Sequence, residues 1–199
     1  MAAFAARAAQ GHIGRARRLA TDEEARRERR DVLALPRSLQ GVASALTATK
    51  DLVDAASAEA ARLTERRDAE EKDALSTALG AGATGKGFTG GTPRGGAGAL
   101  KDLEKRQKSR GTRTSRDALD RALVDLAAFY RDVLLLQLGT GTALVHADLA
   151  EQAATIARAT TPESTLRRID AVLHCREAVD ANVAPLLAVE AMALALRTG

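Results

Sequence analysis

The segment Leu119-Asp120-Arg121-Ala122-Leu123-Val124-Asp125-Leu126-Ala127-Ala128-Phe129-Tyr130-Arg131-Asp132-Val133-Leu134 decides how this 199-residue chain is read. Leu119, Leu123, Leu126, Tyr130 and Val133 recur at steps of four and three, which puts them on one face of a helix. Val124, Leu134 and Leu138 widen that face. Gly139-Thr140-Gly141 ends the helix, with Gly139 suited to the left-handed position that follows a C-terminus.

The rest of the chain has the same character. Aromatic residues make up 2% of it, and there is no Trp and one Tyr. Ala and Leu, both strong helix formers, supply most of the apolar fraction, while sheet-forming residues are scarce. An all-α fold, a helical bundle with a Gly-rich insertion, is expected. The net charge of +4 is spread over interleaved acids and bases, as on solvated helix surfaces. Its basic surplus gathers at Arg15 to Arg18 and at Lys105 to Arg116. The single Cys175 excludes an intrachain disulfide and fits a reducing cytosol. No apolar run reaches the ~18 residues of a membrane helix, so a cytoplasmic protein is expected. Met1 to Gln10 lacks the layout of a signal peptide and reads as the tail of a helix whose beginning is missing, so the chain is expected to be a fragment.

Before residue 119, two short helical pieces flank Gly11-His12-Ile13-Gly14. Thr21 is placed to cap a helix whose first turn holds Asp22, Glu23 and Glu24, and Pro36 is expected to end it. From Ser38 a long helix should bury Leu39, Val42, Leu46, Thr49, Val53, Ala56, Ala60 and Leu63, then run on as a charged stretch and fray near Leu79-Gly80. Residues 80–98 read as a flexible linker. Gly111 is expected to interrupt the next helix, with Thr114 capping its successor.

After Gly141, a shorter helix is expected over about 147–159. Thr161-Pro162-Glu163 then starts one final helix, running to about Arg197 and kinked at Pro185. From Leu186 to Leu196 its apolar residues face nearly all sides, so neighbours should enclose it.

Chemistry-bearing motifs are thin. Gly80-Ala81-Gly82-Ala83-Thr84-Gly85-Lys86-Gly87 has phosphate-loop spacing up to its lysine. It then offers Gly87 where a hydroxyl must hold magnesium, and no strand precedes it. A linker is the better reading. His12 and His146 stand alone, and His174 and Cys175 diverge by about 100° on a helix, so no metal site, cofactor or catalytic residue is expected. Cys175 reads as a packed residue. The acid-free run Lys105, Arg106, Lys108, Arg110, Arg113 and Arg116 could touch a nucleic-acid backbone by charge or could be a solvated linker end. Tyr130-Arg131-Asp132 is either a core tyrosine between surface charges or an inter-subunit contact. Asn182 and Glu190, on an apolar helix with Pro185 and Leu187, serve either the fold or a register-fixing interface.

Residues 113–134, with Asp117, Leu119, Leu123, Leu126 and Tyr130-Arg131-Asp132-Val133-Leu134, resemble a collar helix of bacterial clamp-loader subunits of DNA polymerase III. Leu166, Ile169, Asn182, Leu187, Val189-Glu190 and Leu194 resemble that family's closing helix. Gly11-His12-Ile13-Gly14-Arg15-Ala16 and Leu35-Pro36-Arg37-Ser38-Leu39 are similar to the actinobacterial delta-prime type. The resemblance implies a lid remnant at 1–20, collar helices at 21–79 and 99–199 around the 80–98 insert, and no AAA+ core. It implies a non-catalytic part of a DNA-directed DNA polymerase (nucleotidyltransferase) holoenzyme that loads the sliding clamp. Its partners would be gamma/tau-type and delta subunits, with DNA met indirectly and no membrane. The implied interface is Tyr130, Arg131, Asp132, Asn182, Pro185, Leu187 and Glu190. At the lid turn, ATP-hydrolysing relatives carry an arginine where this chain has Gly14, with Arg15 one place on. The alternative is a basic, all-helical nucleic-acid-binding or scaffold protein.

Overall fold

The computed structural model describes residues 1–39, 41–79 and 96–199. Among the described residues there are eight α-helices and no strand. The helices are α1 (Ala2–Ala8), α2 (Ile13–Thr21), α3 (Glu23–Ser38), α4 (Val42–Ala78), α5 (Gly96–Leu138), α6 (Ala150–Ala159), α7 (Pro162–Asp180) and α8 (Pro185–Thr198). A 3-10 turn, Ala147–Leu149, leads into α6. The all-α expectation holds. The phosphate-loop-like motif at 80–87, and the expected linker up to residue 95, lie outside the described residues.

Two compact units divide the chain: unit 1 comprises 1–55 and 119–199, and unit 2 comprises 56–118. In unit 1, Leu33 of α3, Phe129 and Val133 of α5 and Ala153 of α6 form one apolar cluster, with Leu149, Ile156 and Ala157 against it. A second cluster joins Ala5 and Ala8 of α1, Leu19 of α2 and Ala25 of α3. In unit 2, the C-terminal part of α4 and the N-terminal part of α5 run antiparallel. Ser57 meets Ser115 at 3.3 Å, and the Gln107 amide donates to the Asp68 carbonyl at 2.9 Å.

Several helix boundaries differ from expectation for identifiable reasons. Asp22, not Thr21, caps α3, its Oδ1 accepting from Glu24 N at 2.9 Å and Ala25 N at 3.3 Å. The Thr21 hydroxyl instead donates back to Arg17 O at 3.0 Å inside α2. Pro36 does not end α3, which continues to Ser38 with Leu35 buried just before the proline. Tertiary packing there outweighs the local preference. Gly111 lies inside α5 rather than breaking it, Thr114 therefore caps nothing, and α5 starts at Gly96, within the stretch expected to be linker. Of the expected stripe of α4, Thr49, Ala56 and Ala60 are buried, joined by Ala45 and Leu52, while Val42, Leu46 and Leu63 face outward.

The expected single C-terminal helix is two. At the end of α7, Val183 N bonds Ala178 O at 2.9 Å and Asn182 N bonds Val179 O at 3.1 Å, and Asn182 adopts φ +67°. That is a Schellman stop with asparagine in the left-handed position, a conformation Asn tolerates better than most residues. Pro185 then sits in the first turn of α8, where its missing N–H costs nothing, so it starts a helix rather than kinking one. Two helix ends match expectation. Gly139, at φ +63°, closes α5, and Thr161 caps α7 by accepting from Ser164 N at 3.2 Å.

Candidate partner interface

The residues expected to meet partners separate into an inward and an outward set. Tyr130 and Asp132 are buried in unit 1. Burial pushes the Tyr130 phenol up to about 12, so it stays neutral at any ordinary pH. Arg131 stands between them on α5 and is half exposed. Asn182 is exposed in the turn between α7 and α8 rather than buried on a helix, and Glu190 is partly buried. The reading of these two as buried polar groups on one apolar helix is thus corrected, because the helix breaks at Asn182.

Asp132 belongs to a buried charge network that joins four elements. Its Oδ1 accepts from Val145 N at 3.0 Å, and its Oδ2 accepts from His146 N at 2.7 Å and lies 3.1 Å from His146 Nδ1. Across the imidazole ring, His146 Nε2 stands 3.7 Å from Asp125 Oδ1. Asp125 also pairs with Arg15 of α2 and lies 3.9 Å from Arg29 Nε of α3. Arg29 Nη1 reaches Asp148 at 3.3 Å, and its guanidinium lies over the Phe4 ring at 5.0 Å.

Burial opposes charge on His146, as does Arg29, but the carboxylates of Asp125 and Asp132 outweigh both and hold its pKa above the usual value. Burial likewise works against the Asp132 carboxylate. The hydrogen bonds from His146 and Val145 overcome it and leave that pKa lowered. The network therefore favours imidazolium between carboxylates, a salt-bridged clamp that ties the 139–149 connection to α5. His146 does not stand alone, as its sequence position suggested. Its partners lie 14 and 21 positions away on one helix, a signal visible only once α5 turns back through the loop.

The outward set is apolar and lies on α8. Ala188, Val189, Met192, Ala193 and Leu196 are buried, whereas Leu187 and Leu194 are 61% and 41% exposed. At 100° per residue, Leu187, Ala191 and Leu194 form one ridge opposite the buried face. The helix thus has two apolar faces, and of the neighbours expected to enclose it the chain itself supplies those on one face. On α7, Leu166 and Leu173 form a similar outward row, mixed with Asp170 and Glu177.

The remaining sequence candidates fall elsewhere. Cys175 is buried, and burial pushes its thiol up to about 11, leaving it unreactive. Among the described residues, no group of three or more His, Cys, Asp or Glu side chains could hold a metal ion, and no helix is long and apolar enough to cross a membrane. Arg110 of the basic run is tied to Asp68 and Glu71 within unit 2. Arg110 and Arg67 together hold the Glu71 carboxyl down at about 2.

Comparison with known proteins places the apolar helices in context. No curated protein and no solved structure matches the chain. Residues 115–198, rather less than half of the chain, match the family model described as DNA polymerase III, delta subunit, C terminal. That segment contains Tyr130-Arg131-Asp132 and the whole of α8, so the part of this chain that carries the outward ridge is similar to the C-terminal domain of a clamp-loader subunit.

Proposed function

We propose that this chain is a non-catalytic clamp-loader subunit of delta-prime type, which joins gamma/tau-type and delta subunits through its C-terminal helices and so serves the loading of the sliding clamp in DNA replication. The observation that carries this reading is the second apolar ridge of α8, Leu187 and Leu194, inside the segment matched to the C-terminal domain of a delta subunit. An isolated helix gains nothing by exposing such a ridge, whereas covering it in an assembly removes apolar surface from water at ~25 cal/mol per Å2. Tyr130 and Asp132 act by holding α5 in place. Arg131, Asn182, Pro185, Leu187 and Glu190 lie where partners dock. The choice of delta-prime over delta rests on the likeness of Gly11-His12-Ile13-Gly14-Arg15-Ala16 and Leu35-Pro36-Arg37-Ser38-Leu39 to the delta-prime type, and Gly14, where hydrolysing relatives carry an arginine, agrees with a non-hydrolysing subunit. In this reading the chain performs no chemistry itself, meets DNA through the assembled loader and works in the cytoplasmic polymerase holoenzyme.

The test is reconstitution. The purified chain, mixed with gamma/tau-type and delta subunits, should run with them as one stoichiometric complex in size-exclusion chromatography with light scattering. A folded chain that elutes alone at micromolar concentration in that mixture contradicts the reading.

A further inference from the structure

The net positive charge of the chain resides in unit 2. Residues 56–118 hold thirteen basic and nine acidic residues, whereas the remainder holds seventeen of each. Within the described part of unit 2, Arg67 on α4 and Arg106, Arg110 and Arg113 on α5 line an open groove of about 490 Å3, together with Ser109 and Thr114. No large apolar side chain lines it, which sets it apart from the usual small-molecule pocket. Positions 106, 110 and 113 share one face of α5, and Leu103 and Gln107 point to the buried side.

These arginines are not equally committed. Asp68 and Glu71 are answered by Arg67 and Arg110: Arg67 Nε lies 3.0 Å and Arg110 Nη1 3.0 Å from Glu71 Oε1, and Arg110 also pairs with Asp68. Two carboxylates thus face two guanidinium groups, and Arg106 and Arg113 are in surplus. Arg113 makes one long hydrogen bond, Nε to Ser109 O at 3.5 Å, and the adjacent Lys105 and Lys108 are exposed. Seven residues of helix separate Arg106 and Arg113 by ~10 Å along the axis, far enough to meet different phosphates. The Ser109 and Thr114 hydroxyls add neutral donors of the kind that position a phosphate backbone.

We propose that this face of unit 2 binds the sugar–phosphate backbone of duplex nucleic acid, with Arg106 and Arg113 as its principal contacts. Single strands fit the face less well, because residues 96–118 contain no aromatic side chain on which bases could stack. The inference goes beyond the assembly reading and does not depend on it, since the groove lies outside the matched segment 115–198.

The experiment is a fluorescence-anisotropy titration of the full chain against a duplex DNA of about 20 base pairs over a salt series. The same-sequence RNA duplex, an oligo-dT single strand and polyglutamate form separate arms. Duplex binding should weaken linearly in log–log form with salt. In R106A/R113A the slope should shrink by ~1.8, at ~0.9 for each phosphate no longer neutralised. R106K/R113K should keep most of the binding, and R158A/R167A, which removes equal charge from α6 and α7, should leave the slope unchanged. Circular dichroism of each variant checks that the helices persist. The RNA arm tells which duplex is the better source of the phosphates. Duplex binding that is absent, unaffected by R106A/R113A, or weaker than binding to polyglutamate or oligo-dT overturns the proposal.

Discussion

Unit 1 buries Leu123, Leu126, Phe129, Tyr130 and Val133 on a single helix and sets the Asp132–His146 pair, out of reach of water, beside Phe129. The described part of unit 2 has Leu103 as its one large buried apolar side chain, beside Ala56, Ala60 and the polar Glu59, Thr64 and Gln107. Its cross-helix contacts include Arg110 with Asp68 and Glu71, Gln107 with a backbone carbonyl, and Ser57 with Ser115. Ion pairs of that kind are screened by solvent and add little to stability. The two units thus differ in kind: one has a folded core and outward apolar faces, and the other displays charge on a frame with little core of its own.

That contrast predicts very different responses to substitution. Asp132→Ala removes the acceptor of two backbone amides and one face of the His146 clamp, leaving a buried ring and amides without partners. The expected loss is about 3 kcal/mol or more in chemical denaturation. A loss below about 1 kcal/mol would mean that the network is not part of what holds unit 1 together.

The pH dependence of unit 1 follows from the same groups. His146, with its pKa raised above 6.5, contributes stability that is fully present below about pH 6.5 and lost as pH rises through the higher folded-state value. Asp132, with its pKa lowered from 3.8, contributes stability that is present above that pH and lost as pH falls through the lower folded-state value. The denaturation midpoint should therefore be higher at about pH 6 than at about pH 9, and His146→Gln should flatten that difference. An unchanged slope in the variant would remove His146 from the account.

In unit 2 the expected effect is smaller and of opposite sign. Gly111 lies inside α5, and a Cβ added there meets nothing within 4 Å. Gly111→Ala should stabilise by ~0.5–1 kcal/mol through helix propensity, seen as slower amide exchange across 101–116. Faster exchange would show that the helix needs a glycine there.

These differences also explain what is legible in the sequence. Helix stops and starts written in adjacent residues, such as Thr161-Pro162-Glu163 and Gly139, are readable because their physics is local. The break at Asn182 is not: Pro185 suits either a kink or a first turn, and only the hydrogen bonds of Val183 and Asn182 decide between them. Pro36 and Gly111 mislead in the other direction, since both helices continue past residues that disfavour them. The Asp125–His146–Asp132 clamp is hidden because its members become neighbours only after the chain reverses at 139–145. The candidate interface is half legible. Its residues stand out by type and spacing, but which of them turn inward depends on the fold, and α8 has two apolar faces rather than one enclosed surface.

The central claim is that the outward ridge of α8 is where sister subunits seat. The most direct measurement is mass photometry of the Leu187→Asp/Leu194→Asp variant mixed with gamma/tau-type and delta subunits. Both positions are exposed, so the variant should keep the helical signal and melting behaviour of the parent chain. The account predicts that it stays a free particle while the parent enters the complex. A variant that assembles as well as the parent contradicts it.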